Sequence, residues 1–530
     1  MSPVAAFELT LFLMAVVLVL EVAARRLHMP PAAAFILGGI ALALVPGVPE
    51  LELDPNLVLV LFLPPLLQSS AFFTSWRDFR ADIRLILALS VGAVAFTTLV
   101  VGVVAHAVAP FLPWAACFAL GAIVSPPDAV AAKAVLQRVS LPRRLNLLLE
   151  AESLVNDASG LVLYRFAVVA TLTGVFNGRA AIASFGLLAA GGIAVGLLFG
   201  LAATMLLRRL QDSHLATVAS FLVAWASYIV AERVGVSGVL STVACGLLMG
   251  VLQHGVLSAT TRIQAKAVWE VAGFLLESFI FILIGLSLRG IVDRLGGGFA
   301  NLPHYLPATA AIVGAVILAR FVWIFLTSAA SWAAHRLVGR AGGWAPMSIQ
   351  LVMSWAGMRG VVSLAAALAL PVGFPGRDFI LAVTFAVILV TVLVQGITLA
   401  PLVRAARLDR FVPKTSATMP EAAARAHVMA AQLAEVERQS RQPDGTHRHP
   451  RLVEQYGHRA RATHNFSQDV AGNIGHKDAH FNVVIAAVSA GRSELLRLHG
   501  ANEIHDTVLH ALEQELDLEE LIARRHLRAG

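Results

Sequence analysis

Residues 112–136 read LPWAACFALGAIVSPPDAVAAKAVL, an apolar stretch interrupted near its middle by Ser125, Pro126, Pro127 and Asp128. A bilayer core about 30 Å thick takes roughly 20 apolar residues in a helix, so the stretch is long enough to cross. Two consecutive prolines remove two backbone donors and bias the residues before them away from the helical region, which breaks the helix inside the membrane. Residues 354–360, SWAGMRG, repeat the situation in a second apolar stretch, with Gly357, Gly360 and Arg359 where lipid tolerates neither loose backbone nor charge. Irregular backbone at that depth persists only where it is buried in protein or lines an aqueous cavity.

Applied outward, the same length criterion marks thirteen apolar segments between residues 4 and 403. The first has no basic residue before it and Arg25 and Arg26 after it, which reads as a span rather than a secretory signal. Loop charge tests the count: eighteen Lys and Arg fall on one side and five on the other. By the positive-inside rule the C-terminal tail is then cytoplasmic and the N-terminus outside, as an odd number of helices requires. The broken segments are the fifth and the twelfth. An offset of seven predicts inverted repeats in a 6+1+6 arrangement, at about 4–172 and 213–403 around a linker helix at 181–207. The predicted fold is an all-α polytopic membrane protein whose two broken helices cross at the midplane, followed by a helical cytoplasmic tail.

Composition agrees. Of 530 residues 58% are hydrophobic and 14% charged, against about half and about a quarter in soluble domains, which excludes a soluble globular enzyme. Charge is segregated: 15 of 33 acidic residues and 11 of 17 histidines lie beyond residue 410. Two regions follow, a transmembrane domain at 1–410 and a cytoplasmic regulatory tail at 411–530. Cys117 and Cys245 sit in apolar runs and read as core residues, with no disulfide or cysteine metal site. The net charge of +7 comes from loop anchors rather than basic patches interleaved with aromatics, so nucleic acid is not an expected partner.

Within the spans each ionisable residue needs a partner or a task. In the sixth segment Ser153, Asn156, Asp157 and Gly160 fall at i, i+3, i+4 and i+7 and share a helix face, gathering a hydroxyl, an amide and a carboxylate. No Arg or Lys lies within a turn of Asp157 on that face, which makes it a proton and cation site. Glu152 points elsewhere and needs a counter-charge, with Arg320 and Arg359 as candidates. Asp128 is either an ion ligand or a neutraliser of helix dipoles at the break. Glu277 reads as half of a structural ion pair with Arg359. There is no phosphate loop, HExxH or GxSxG elbow, so the chain is not read as an enzyme and no cofactor is expected.

Three stretches, ESLVND at 152–157, SPPDAVAA at 125–132 and WAGMRGVVSLAAAL at 355–368, resemble the sodium/proton exchanger branch of the monovalent cation:proton antiporter superfamily, in order and spacing along residues 1–410. Residues near the C-terminus, EIHDTVLHALEQELDLEEL, resemble the tail of bacterial members. The resemblance implies a homodimeric secondary antiporter of the inner membrane, with a core bundle moving elevator-fashion against a dimerisation domain. It implies that Asp157 binds sodium and proton alternately, with Ser153 as a side-chain ligand of a transient Na+ and backbone at Pro127 and Asp128 adding oxygens. Asn156 marks the electroneutral group. Glu152 matches the glutamate paired with an arginine of the eleventh segment, here Arg320, and Glu277 and Arg359 match charges that hold the core together. Two positions depart from the pattern. Ala129 follows Asp128 where a proline is common, and Ser69 stands near a position that often carries a glutamate, which leaves the site one carboxylate short and opens K+/H+ or weakly selective exchange as an alternative.

In the tail, helical periodicity is read at 419–441 and 503–523, with a linker at 442–450. Its histidines read as solvated helix faces. A cation channel or a sensor on the same scaffold is the competing class. A channel needs a continuous polar file, whereas the polar residues here concentrate at one depth around Asp157.

Overall fold

A computed structural model describes residues 3–46, 54–128, 132, 141–175, 178–210, 212–294, 302–337, 346–411 and 419–528. The chain separates into two units, Met1–Val412 and Pro413–Gly530. Among the described residues of the first, nine helices are long and apolar enough to cross a membrane, and Pro31–Ala43, Leu57–Phe73 and Trp114–Val124 are shorter and apolar.

Local chemistry starts and stops these helices. Asp212 accepts from the backbone N–H of His214 and Leu215 at 2.7 and 3.0 Å to open Ser213–Val234, and Ser237 accepts from Leu240 to open Gly238–Leu252. Gly235 ends the first of these at φ 82°, in the left-handed region that glycine occupies without strain. Helix Pro31–Ala43 packs against Ala259–Arg294 at Gly39 and Gly285, where a Cβ on either would run into the other's backbone. Close approach through small residues is how apolar helices gain contact without a hydrophobic driving force.

Helix Trp114–Val124 ends at Ser125, as two prolines dictate. Met347–Trp355 ends at Ala356, and a new helix, Val361–Leu368, begins after Gly360. The two breaks touch: Asp128 N–H donates to the Met358 carbonyl at 2.7 Å, and the Arg359 guanidinium donates to the Ser125 carbonyl. Residues 129–131 and 133–140, which include most of the second half of the fifth segment, lie outside the described residues. Wide π turns interrupt the spans Ile83–Val108, at Ala88–Gly92, and Arg377–Ala406, at Thr391–Gln395. Such turns disturb the backbone ladder. Trp323 Nε1 donates to the Ala88 carbonyl at 2.9 Å, and Thr391 Oγ1 accepts from Arg359 N–H at 3.0 Å.

Among the described residues of the second unit there are four helices, Glu421–Ser440, Pro450–Gln468, Val470–Gly500 and Asp506–Arg528. Periodicity had marked only the first and the last. Pro450–Gln468 has few aliphatic residues and Val470–Gly500 carries four glycines, yet their start signals are present. Pro450 occupies the first helical turn, and the Asp469 carboxylate accepts from Gly472 N–H at 2.9 Å. Arg492 ties the last two helices through Asp517 at 2.6 Å and Glu520 at 2.8 Å.

Candidate functional site

Helix Arg143–Thr173 supplies the centre of the site. Its residues Glu150, Ser153 and Asp157, spaced i, i+3 and i+7, line a cavity of about 90 Å3. Asp128 reaches the cavity from the first break, Gly360 and Ser363 from the second, Ser69 and Ser70 from Pro55–Phe73, and Glu277 from Ala259–Arg294. Phe62, Ile280 and Phe281 make the wall apolar elsewhere. The described lining therefore holds four carboxylates and four hydroxyls and neither Lys nor Arg. The oxygens these residues offer suit a hard cation or a proton.

The face drawn from periodicity divides in two. Ser153 and Asp157 open to the cavity, but Asn156 and Gly160 turn to the first break. Asn156, fully buried, donates from Nδ2 to the Pro127 carbonyl at 2.5 Å, and its Oδ1 has no hydrogen-bond partner among the described residues. At Gly160 a Cβ would overlap the Pro126 ring, so glycine lets the helix lie against the prolines. Asn156 and Pro127 are thus absent from the described cavity lining, and the Pro127 carbonyl carries the Asn156 amide. A helix face wide enough to hold four residues meets two neighbours, the break on one flank and the cavity on the other.

Glu152 is 1% exposed and accepts two hydrogen bonds from Arg320, at 2.6 and 3.0 Å. Arg320 Nε also donates to the Met353 carbonyl at 3.1 Å, and Gly357 leaves room for that guanidinium, which a Cβ would strike. This pair joins helix Arg143–Thr173 to the end of Met347–Trp355. Arg359, also 1% exposed, bonds the Ser125 carbonyl; no ion pair within 4 Å joins it to Glu277, contrary to the sequence expectation. The Ser125 carbonyl, where the first helix stops, holds the Arg359 guanidinium, and Glu277 lies on the cavity. Asp128 packs its carboxylate against Gly360, at the start of Val361–Leu368, where a Cβ would collide with it. There it meets the positive end of that helix while remaining part of the lining.

Glu150 and Ser363 were not singled out from the sequence. Glu150 was legible, three and seven residues before Ser153 and Asp157. Ser363 gave no local signal, because its exposure to the cavity depends on where the second helix restarts. Among the described residues no group of three or more His, Cys, Asp or Glu could hold a metal.

Comparison with known proteins places these residues in a family. The description "Sodium/hydrogen exchanger, transmembrane" matches residues 11–405. A relative named an uncharacterised Na+/H+ exchanger from Mycobacterium tuberculosis is 32% identical over 518 residues, 96% of this chain and 94% of that protein. A "sodium, potassium, lithium and rubidium/H+ antiporter" of Bacillus pumilus is 33% identical over 68% of this chain and 56% of that protein. Among solved structures, a sodium proton antiporter from Methanocaldococcus jannaschii aligns with 78% of this chain and all of its own at a TM-score of 0.62 and 20% identity, a likeness of fold.

Proposed function

The chain belongs to the sodium/hydrogen exchanger family of the monovalent cation/proton antiporters, and from that premise we propose that it exchanges Na+ for H+ one for one, with Asp157 as the group that both ions share. It is a multi-pass membrane protein that moves monovalent cations and protons across a lipid bilayer. The observation that carries the Asp157 assignment is the cavity itself: Asp157 and Ser153 line it beside Asp128 and Ser69, with no described Lys or Arg in the lining to hold the carboxylate in a permanent ion pair. A carboxylate so placed holds a cation when ionised and releases it when protonated, which is the competition antiport requires. Asn156 takes a structural part in this reading, fixing the first break through Pro127, and as a neutral neighbour it leaves Asp157 to exchange one charge for one charge.

The nine long spans, the two shorter helices Pro31–Ala43 and Leu57–Phe73 and the two interrupted ones support thirteen crossings in the 6+1+6 order. The Asp128–Met358 hydrogen bond supports breaks that cross at the midplane. We assign the protein to the electroneutral Asn-Asp branch, as a homodimer that alternates access by elevator motion, with the N-terminus outside and residues 411–530 as a cytoplasmic regulatory tail. Broader selectivity, with K+ accepted alongside Na+, is the second reading. Ser69 on the cavity wall, where a carboxylate would favour the smaller ion, and the Bacillus relative whose name includes potassium both favour it.

The test is cation-driven proton flux in proteoliposomes. Asp157→Asn keeps the volume but cannot ionise, and exchange is expected to vanish while the protein still folds. Wild-type flux in that variant would remove Asp157 from the mechanism, and a strong dependence of wild-type rates on membrane potential would refute one-for-one exchange.

A further inference from the structure

With a serine at position 69, the cation needs oxygens from elsewhere, and the restarted helix carries one. Ser363 is the third residue of Val361–Leu368 and lines the cavity that holds Asp157, Ser153 and Asp128. It is 1% exposed, and its Oγ has no hydrogen-bond partner among the described residues. A buried hydroxyl without a partner is costly, and native structures rarely leave one so without a reason. Hydroxyls inside apolar helices ordinarily donate to the carbonyl one turn back. Thr98 does so to Val94, Ser278 to Phe274 and Ser354 to Gln350. For Ser363 that carbonyl would be Arg359's, and Arg359 precedes the helix: Gly360, at φ −150° and ψ −140°, takes the chain out of the helical path between them. The break that opens the cavity thus also leaves the Ser363 hydroxyl uncommitted. Thr384 and Ser328 also have hydroxyls without a partner among the described residues, but neither lines this cavity.

The charge setting is favourable as well. The start of a helix carries partial positive charge, which opposes a cation. Asp128, packed against Gly360 at that same start, offsets it. We propose that Ser363 is a side-chain ligand of the transported monovalent cation, supplied by the second interrupted helix as Ser153 is supplied by helix Arg143–Thr173. The cation then bridges the two elements, so that occupancy ties the restarted helix to the carboxylate that exchanges the proton. This rests on the antiport reading, since it takes Asp157 as the shared site.

The experiment measures exchange by the full-length protein in proteoliposomes at fixed pH against Na+ and K+ concentration, for wild type, Ser363→Ala, Ser363→Cys and Ser363→Thr. Losing one oxygen ligand should raise the half-saturating Na+ concentration about five- to tenfold in the Ala and Cys variants. Cys is nearly isosteric but offers a soft sulfur that a hard cation ignores. Thr, which keeps the hydroxyl, should stay near the wild-type value. Unchanged half-saturation in Ala and Cys overturns the proposal, whether or not the maximal rate falls. If Ala does not fold, the contrast between Cys and Thr decides, and equal half-saturation in those two overturns it. Absence of any cation-driven proton flux in the wild type is a different failure, that of the antiport reading itself.

Discussion

Replacing Glu152 by alanine tests the deepest electrostatic feature of the transmembrane unit. The Glu152 and Arg320 side chains are 2% and 4% exposed, and two charge-assisted hydrogen bonds of 2.6 and 3.0 Å join them. Removing one partner of a buried pair strands the other charge in a low dielectric, at a cost of about 3 to 5 kcal/mol. In Glu152→Ala the guanidinium keeps, among the described residues, only its Nε bond to the Met353 carbonyl, 3.1 Å long. The full penalty is therefore expected. Glu152→Gln should recover little, because its amide NH2 faces a guanidinium that only donates. The double variant Glu152→Ala with Arg320→Ala removes both charges and should regain roughly 1 to 4 kcal/mol relative to the worse single variant, leaving a packing defect. Thermal-shift measurements on the purified protein in detergent, run as a double-mutant cycle, read these differences as apparent melting temperatures. Two single losses that simply add in the double variant would refute the reasoning, because additivity means the pair contributes no coupling energy.

Ser69→Glu adds a carboxylate to the cavity wall, and higher charge density favours the smaller cation, so the half-saturating Na+ concentration should fall more than that for K+; a well-expressed, active variant with both values unchanged would show that position 69 lies off the ion path. In the tail unit, Arg425 donates to His526 Nδ1 at 2.6 Å and Phe481 stacks on the ring at 4.3 Å, joining three helices through a histidine that must be neutral to accept. Burial, and then Arg425, Lys477 and Arg525, hold His526 below the usual histidine pKa, with Glu421 opposing them weakly. The folded unit thus binds this proton less readily than the unfolded chain: the contribution is complete above about pH 6.5 and declines as the pH falls below it. Acidification from about pH 7.5 to 5.5 should therefore loosen Glu421–Ser440 from Asp506–Arg528, seen as faster amide exchange after correction for the intrinsic rate. His526→Gln should abolish the difference, and equal protection at both pH values in the wild type would discard the contact as a pH-dependent tie.

Much of this architecture is local in origin and was readable along the chain. Apolar length alone distinguishes membrane helices, and Pro126–Pro127 and Gly357–Gly360 break theirs wherever they sit, since the missing donors and the flexible backbone belong to those residues. Membership of the antiporter family is carried in the same way by 152–157 and its companions. Three other matters were decided only by how the chain folds. Periodicity put Ser153, Asn156, Asp157 and Gly160 on one face, but only packing against the prolines turned Asn156 and Gly160 to the break and left Ser153 and Asp157 to the cavity. Arg320 and Arg359 were equivalent counter-charges for Glu152 on charge alone. The structure pairs Glu152 with Arg320, while Arg359 goes to the carbonyl that the first break sets free. Ser363 reads as one more helical serine until the helix is seen to restart at Val361, which takes the carbonyl four residues back out of the helix and leaves the hydroxyl without a partner among the described residues. Spacing within a helix says which residues are side by side. What lies opposite them is decided by tertiary contacts, and an ion site is made of what lies opposite.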